Sequence, residues 1–263
     1  MTIKLAVNGA AGRMGEKVIE VALANKLTIA AALESDTYSK LSMPLNLFIQ
    51  NAPANLHYQS KLSANVDVII DFSTPESTMM RVQEAVQQKC AIVIGTTGFT
   101  PEQIHELAIA AIKIPMIRTA NFSLGVNLLT RIVADVAKAL GEEFDIEITE
   151  AHHNKKADAP SGTALMLAQS ICNVTNRDVQ SDLMHGRNFR TSIRDKREIG
   201  MHALRMGSIV GDHTVYFSSN EERIELTHRA QSRNVFAVGA VRAAQWLAGK
   251  PEGFYTMQDV LFS

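Results

Sequence analysis

In the first half of the chain, two patterns of hydrophobic residues follow each other repeatedly. Short continuous apolar runs predict buried strands, and most are followed by a polar or glycine-containing turn and then by apolar residues at helical spacing. The predicted strands are residues 3–7, 28–33, 66–70, 91–94 and 116–118. This order of strands and helices predicts an α/β fold with a Rossmann-type parallel sheet at the N-terminus.

The pattern changes after Gly125. A long apolar helix is predicted next, and alternating apolar positions beyond it are typical of an antiparallel or mixed sheet with one covered face. The predicted helix is residues 126–140, and the predicted strands are residues 144–151, 203–210, 214–217 and 223–230.

A last predicted helix, residues 235–247, is followed by a short tail. We expect both to pack back on the first domain, so that the second domain is an insertion. The predicted division is a dinucleotide-binding domain of residues 1–123 plus 235–263, with an inserted α+β domain of residues 124–234.

Composition and charge narrow the classes of partner. A net charge of −1 over 263 residues gives no reason to expect nucleic acid or an anionic membrane surface. Cys90 and Cys172 are the only cysteines, and their apolar surroundings are typical of reduced thiols in a cytoplasm. No segment has the pattern of a signal peptide or a membrane span. These features predict a cytoplasmic protein with a small-molecule partner.

A glycine-rich turn joins the first predicted strand to the first predicted helix. Gly9, Gly12 and Gly15 would allow a tight turn, close approach of the backbone to a pyrophosphate, and close helix packing. The spacing is GxxGxxG, which departs from the commoner GxGxxG. The turn therefore predicts a dinucleotide site.

Glu34 ends the second predicted strand, about 20 residues after this turn, where an acidic side chain accepts hydrogen bonds from the adenosine ribose. Ser35 follows it, so no arginine stands there to pair with a 2′-phosphate, and NAD is favoured over NADP.

The turns of residues 95–98 and 119–123 follow later strands. Ligands lie beyond the carboxyl ends of parallel strands, so these turns are expected to offer backbone and hydroxyl donors to the nicotinamide end.

Residues 150–165 contain two histidines and two lysines between a predicted strand and a predicted helix that begins near Pro160. The N–H groups of a first helical turn bind anions, so a cationic loop beside them predicts an anionic substrate. His152 and His153 would point to different sides of a strand, which makes them a poor zinc pair, and no metal site is predicted. A solvated basic loop is the alternative.

A second basic segment, residues 182–197, contains Arg187, Arg190, Arg194 and Arg197. These arginines could clamp an anion. A surface loop is the favoured interpretation.

Five motifs together resemble 4-hydroxy-tetrahydrodipicolinate reductase, the dihydrodipicolinate reductase family. They are Gly-Ala-Ala-Gly-Arg-Met-Gly, Asp-Phe-Ser-x-Pro, Gly-Thr-Thr-Gly, Ala-Asn-Phe-Ser and Glu-Ala-His-His-x-x-Lys-x-Asp-Ala-Pro-Ser-Gly-Thr-Ala. The resemblance runs from residue 3 to the C-terminal helix, and the last motif is the most specific. It implies a cytoplasmic homotetramer of diaminopimelate and lysine biosynthesis that reduces a cyclic dicarboxylate with NADH or NADPH. Residues 124–234 would then bind substrate and form the tetramer.

The resemblance also implies residue roles. His152 would be the general acid and base and Lys156 a second proton donor, while His153, Gly162 and Thr163 would contact a substrate carboxylate. The implied cofactor contacts are Gly9, Ala10, Ala11, Gly12, Arg13, Met14, Glu34, Gly95, Thr96, Thr97, Thr119, Ala120, Asn121 and Phe122. Ser35 and Thr74 stand where some members carry arginine, which weakens the expectation of NADPH preference.

Two other functions share parts of this pattern. Another two-domain nicotinamide dehydrogenase would have the glycine turn and Glu34 but would not need the His-His-x-x-Lys loop joined to Pro-Ser-Gly-Thr. An NADH-sensing module without catalytic activity would bind the nucleotide without oxidising it.

Overall fold

The computed structural model describes residues 2–188 and 192–263. The chain divides into two compact units, one of Met1–Leu124 with Asn234–Ser263 and one of Gly125–Arg233. The boundaries predicted from the sequence, after residues 123 and 234, lie one residue from these.

The first unit begins with alternating strands and helices, as the hydrophobic pattern predicts. Its elements up to Leu124 are β1 (Lys4–Asn8), α1 (Arg13–Ala24), β2 (Thr28–Leu33), β3 (Tyr58–Gln59), β4 (Val68–Asp71), α2 (Pro75–Gln88), β5 (Ala91–Ile94), α3 (Pro101–Ala111) and β6 (Pro115–Arg118). A single 3₁₀ turn, Leu45–Leu47, lies in the connection before β3. Strands β4 and β5 are buried along their whole length, which explains their continuous apolar runs.

The described part of the second unit contains two long helices and five strands. They are α4 (Leu124–Leu140), β7 (Asp145–His152), α5 (Gly162–Thr175), β8 (Leu183–His185), β9 (Ile199–Arg205), β10 (Asp212–Ser218) and β11 (Arg223–Arg229). The chain then returns to the first unit through α6 (Asn234–Leu247), β12 (Gly253–Tyr255) and α7 (Met257–Phe262). The expected return of the tail is therefore observed.

The sheet of the first unit has the order β12-β6-β5-β4-β1-β2-β3, and all its strand pairs are parallel. Apolar cores lie on both faces, one lined by α1 and α6 and the other by α2 and α3. The prediction of a Rossmann-type parallel sheet is confirmed. In this order the carboxyl ends of β1, β4, β5 and β6 lie side by side.

A buried carboxylate joins three of these strand ends. Asp71, at the end of β4, is 0% exposed and accepts hydrogen bonds from four neutral side chains. Its donors are Asn8 at 2.5 Å, Ser73 at 2.6 Å, Thr78 at 2.6 Å and Thr96 at 2.6 Å. The turns after β1, β4 and β5 are therefore fixed to one carboxyl group.

The sheet of the second unit is mixed, as expected, with the order β11-β10-β7-β9-β8. β7 is central, antiparallel to β10 and parallel to β9. Its even-numbered residues, beginning with Ile146 and Ile148, face a core that α4 and α5 complete.

One predicted strand of this unit is wrong in position, and one strand was not predicted. The strand predicted over residues 203–210 is β9, Ile199–Arg205. The apolar residues Ile209 and Val210 lie in the loop that follows, where the Ile209 carbonyl accepts a bond from the His153 N–H at 2.8 Å. β8 has only three residues, too few to show an alternating pattern.

The described residues include no helix with the combined length and hydropathy that crossing a membrane requires.

Candidate active site

The glycine turn of the first unit forms a tight cradle between β1 and α1. Gly9 has φ +72°, and a Cβ there would lie 2.3 Å from the Phe72 carbonyl oxygen. A Cβ at Gly15 would lie 2.1 Å from the Gly9 carbonyl oxygen, whereas one at Gly12 would lie 3.1 Å from the same atom. The first and third glycines are thus required by packing. Gly12 is exposed at the start of α1, where the helix dipole favours a phosphate.

A pocket of about 450 Å³ lies beside this cradle. Its lining includes Glu34 and Ser35 from the end of β2 and Thr74 from the start of α2. The Glu34 carboxylate accepts a hydrogen bond from the Ala11 N–H at 2.7 Å, which places its charge at the edge of the turn. The position of the pocket and its acidic residue are those expected for the adenosine end of a dinucleotide.

Several pocket residues were not identified from the sequence. Asn8, Tyr38, Phe72, Ser73 and Ser77 also line it. The Asp-Phe-Ser-Thr-Pro turn that follows β4 was one available signal for Phe72 and Ser73, because that turn adjoins the glycine turn in a parallel sheet.

The predicted cofactor residues after β5 and β6 lie at the same edge of the sheet. Thr96 differs from the expectation of a free hydroxyl donor, since its Oγ1 accepts from the Ser73 N–H at 2.8 Å and donates to Asp71. The Phe122 ring is buried in the core and packs edge-on against Phe72. Gly95, Thr97, Thr119, Ala120 and Asn121 belong to the same two turns. Thr96 and Phe122 therefore shape these turns with their side chains.

The basic loop of the second unit begins at the end of β7. His152 is the last residue of this strand and is 9% exposed, with its Nδ1 2.6 Å from the Glu150 carboxylate. His153 follows, and its N–H is bound to the turn after β9. Lys156 Nζ donates to both carboxylate oxygens of Asp158, at 2.8 Å each. The loop therefore presents an imidazole and an ammonium group held by separate carboxylates.

Helix α5 begins as the sequence predicts. The Ser161 hydroxyl caps it by accepting from the Ala164 N–H at 3.2 Å, and Gly162 and Thr163 form the first turn. Gly162 is exposed, and a Cβ there would meet no atom within 4 Å. Beside the cationic loop, this helix start is a suitable site for a carboxylate.

Three further residues of this site, Glu150, Arg205 and His213, were not assigned roles from the sequence. Strand register places Arg205 of β9 beside His152 and His213 of β10 beside Glu150. Arg205 donates to both Glu150 oxygens, at 2.9 and 2.8 Å. The His213 ring packs edge-on against His152 with centroids 5.2 Å apart, and its Nε2 lies 3.0 Å from the Ser161 hydroxyl.

Burial, with a smaller contribution from the neighbouring His152, lowers the pKa of His213 from 6.5 to about 4. In the unfolded chain His213 is protonated below about pH 6.5, whereas in the folded chain it is protonated only below about pH 4. The unfolded state therefore binds more protons between these values, and the stability of the fold is lost as pH falls through this range. The full effect is about 3 kcal/mol. We expect His213→Gln to flatten the fall in melting temperature between pH 6.5 and 4.5. An equally steep fall in the variant would assign the acid sensitivity to other groups.

The arginine-rich segment does not form an anion clamp in its described part. Arg187 pairs with Glu147 and Glu198, Arg194 with Asp145 and Glu147, and Arg197 with Asp182. The hydrogen bonds that Arg187 donates to Glu147, opposed by burial, raise the pKa of Arg187. Arg190 lies outside the described residues. The favoured interpretation, a surface segment, agrees with these ion pairs.

A parallel sheet with a glycine cradle and an acidic residue after its second strand is typical of nicotinamide-dependent oxidoreductases. Comparison with models of protein families supports this class and identifies one family within it. Residues 3–122 match the model described as dihydrodipicolinate reductase, N-terminus, and residues 125–261 match that of the C-terminus. The chain belongs to the dihydrodipicolinate reductase family.

Curated proteins of this family are similar to the chain over nearly its whole length. A 4-hydroxy-tetrahydrodipicolinate reductase of Geobacter metallireducens is 44% identical over 98% of both chains. One of Burkholderia mallei is 43% identical over 99% of this chain and 98% of its own. A solved dipicolinate-bound dihydrodipicolinate reductase from Paenisporosarcina sp. TG-14 is 25% identical, with a TM-score of 0.76 over 97% of this chain and 98% of that one. An amine dehydrogenase from Mycobacterium smegmatis, 11% identical with a TM-score of 0.62, shares the fold alone.

Proposed function

We propose that this chain reduces 4-hydroxy-tetrahydrodipicolinate to tetrahydrodipicolinate with a nicotinamide cofactor, in lysine and diaminopimelate biosynthesis. The observation that carries the proposal is the loop from His152 to Lys156 joined to the start of α5. A general dehydrogenase of the same fold has no need for two proton donors beside a helix start that suits a carboxylate.

The residues of the first unit fit a dinucleotide. The close backbone contacts at Gly9 and Gly15 keep the turn narrow, and the exposed Gly12 lets a pyrophosphate approach the start of α1. Glu34 would accept hydrogen bonds from the adenosine ribose. The bound cofactor supplies the hydride.

Within the second unit the residues hold the substrate and supply the proton. Loss of the 4-hydroxyl group as water gives the conjugated imine, dihydrodipicolinate. Hydride addition to its conjugated ring carbon leaves an enamine-like anion, which must be protonated on the neighbouring carbon. His152 and Lys156 are the proposed donors. His153 and the N–H groups of Gly162 and Thr163 would hold one substrate carboxylate, because a helix start and an imidazole both favour an anion.

We also propose that NADH is preferred. Among the described residues that line the adenosine pocket, Glu34 is the one charged side chain, and Ser35 and Thr74 are neutral. A 2′-phosphate would therefore meet a carboxylate and no cation.

A cytoplasmic homotetramer is the remaining proposal. The reduced state of Cys90 and Cys172 suits the cytoplasm. The face of the second sheet that carries Leu204, which is 48% exposed, is available to a second copy. Sedimentation would measure the assembled mass against 28.8 kDa per chain.

The decisive experiment is the initial rate of NADH and of NADPH oxidation, with substrate made freshly from pyruvate and aspartate semialdehyde by a synthase. We expect rapid loss of nicotinamide absorbance, faster with NADH. A reaction without the synthase is the control for adventitious oxidation. If NADH binds but neither cofactor is consumed, the sensing module replaces the reductase; if only other carbonyl substrates are reduced, a different dehydrogenase does.

A further inference from the structure

Glu150 is a charged residue at a position where the strand pattern requires an apolar one. On β7 it follows Ile146 and Ile148 on the face that packs against the core. Its side chain is nearly inaccessible, since the residue is 2% exposed. A carboxylate in such a place must be hydrogen-bonded and paired with a cation, and it therefore invites a functional explanation.

Both carboxylate oxygens of Glu150 are engaged, and they contact different parts of the site. Oε2 lies 2.6 Å from His152 Nδ1 and accepts from Arg205 Nη1 at 2.9 Å. Oε1 accepts from the Ser161 N–H at 3.0 Å and from Arg205 Nη2 at 2.8 Å. One carboxyl group thus holds the imidazole and the residue that caps α5.

The charge of Glu150 decides which nitrogen of His152 carries hydrogen. Burial alone would raise the pKa of Glu150, but the hydrogen bonds from Arg205, His152 and the Ser161 N–H outweigh burial and place the pKa below its ordinary value. An ionised carboxylate only accepts hydrogen bonds, so His152 Nδ1 must donate. Nε2 is then the nitrogen that can gain or lose a proton during the reaction.

The position of Gly211 separately supports Nε2 of His152 as the nitrogen that exchanges a proton. A Cβ at Gly211 would lie 3.0 Å from His152 Nε2, closer than such contacts normally allow. The absence of a side chain at this position leaves room beside Nε2.

Arg205 completes the arrangement. Its guanidinium binds both Glu150 oxygens, and its Nη2 also donates to the Asp158 carbonyl at 2.6 Å. It therefore opposes the transfer of the Nδ1 proton to Glu150 and fixes the loop that contains Lys156.

Building on the proposed function, we propose that Glu150 is a positioning residue that holds His152 with hydrogen on Nδ1, so that Nε2 exchanges the proton with the substrate. The same carboxylate fixes Ser161 and hence the carboxylate-binding start of α5. Arg205 maintains the charge of this pair.

The first test measures the tautomer in the wild-type protein and does not depend on turnover. Spectra of ¹⁵N-histidine-labelled protein, with the His152 signals identified through His152→Gln, are expected to show a protonated Nδ1 when the ring is neutral. A neutral ring with hydrogen on Nε2 would overturn the proposal even if the enzyme reduces its substrate. The expected tautomer in a protein that does not reduce the dicarboxylate would leave the positioning role intact and reject only the assigned reaction.

The second test is kinetic. In Glu150→Gln the turnover number is expected to fall by about 10²-fold or more, with a higher KM for the dicarboxylate and unchanged NADH affinity. In ¹⁵N spectra of Glu150→Gln the neutral His152 ring is expected to populate the tautomer with hydrogen on Nε2, because an amide can also donate to Nδ1. Glu150→Asp restores the carboxylate and is expected to return the tautomer with hydrogen on Nδ1.

Glu147→Gln is a matched control on the same strand. Glu147 lies on the opposite face of β7 and has a similar set of partners, with His202 Nε2 at 2.6 Å and both Arg187 and Arg194. Its substitution is expected to reduce thermal stability and to leave the His152 tautomer and the turnover number nearly unchanged. The same change of tautomer and turnover in Glu147→Gln, or neither change in Glu150→Gln, would overturn the proposal.

Discussion

Lys156→Ala is expected to lower turnover by about 10² to 10⁴-fold, to raise the KM for the dicarboxylate, and to leave NADH affinity nearly unchanged. The substitution removes the proposed proton donor, which is also a cation of the proposed substrate site. Lys156 is largely buried, with 20% of its side chain exposed, and it is fixed by both oxygens of Asp158. Its removal leaves the glycine turn and its contacts as they are. Steady-state kinetics with titrations of NADH fluorescence measure the three quantities separately.

Lys155→Ala is the control for this prediction. Lys155 is the adjacent residue and is exposed, so it carries the same charge without the contact to Asp158. We expect a change of no more than about twofold, because isolated surface charges contribute little. Equal losses in the two variants would indicate a general effect of charge, and unchanged turnover in Lys156→Ala would remove this residue from the mechanism.

Gly15→Ala is expected to weaken NADH binding by at least about tenfold and to destabilise the fold by about 1–3 kcal/mol. The added Cβ would lie 2.1 Å from the Gly9 carbonyl oxygen and 2.8 Å from the Ala10 Cα. Both are backbone atoms, so no side-chain rotation relieves the contact and α1 must move away from the turn. Thermal denaturation and NADH titration of the same preparation measure the two effects.

Gly12→Ala separates binding from stability. Gly12 has φ −75°, which alanine adopts without strain, and its Cβ would lie 3.1 Å from a single backbone atom. We expect weaker NADH binding with a melting temperature close to that of the wild type, because the methyl group occupies the path of the pyrophosphate. A variant that binds NADH normally would show that the phosphates lie elsewhere.

Much of the first unit could be predicted because its signals are local. The strand, glycine turn and helix from Lys4 to Ala24 are contiguous, and Glu34 follows at the spacing that the fold requires. β9 was misplaced by several residues because it is buried at its beginning and exposed from Ala203 onward, so that the apolar residues of the next loop completed a false pattern. Secondary-structure prediction from periodicity fails where burial changes along a strand.

The residues of the second site were predicted only where they are contiguous. His152 to Thr163 could be identified because one segment contains them. Arg205 and His213 reach the same site through the pairing of β9 and β10 with β7, and register cannot be derived from composition. A local signal for Glu150 did exist, since it lies two residues before His152 and interrupts an apolar alternation on the same face.

The carboxylate of Asp71 has a consequence for local unfolding. It binds residues of three turns at distances of 2.5 to 2.6 Å, and all three turns border the nucleotide cradle. We expect these turns to open together as one cooperative segment, because opening any one of them leaves a buried carboxyl group with fewer donors. Amide hydrogen exchange in the three turns should then be coupled, so that a nucleotide that orders one of them slows exchange in the other two.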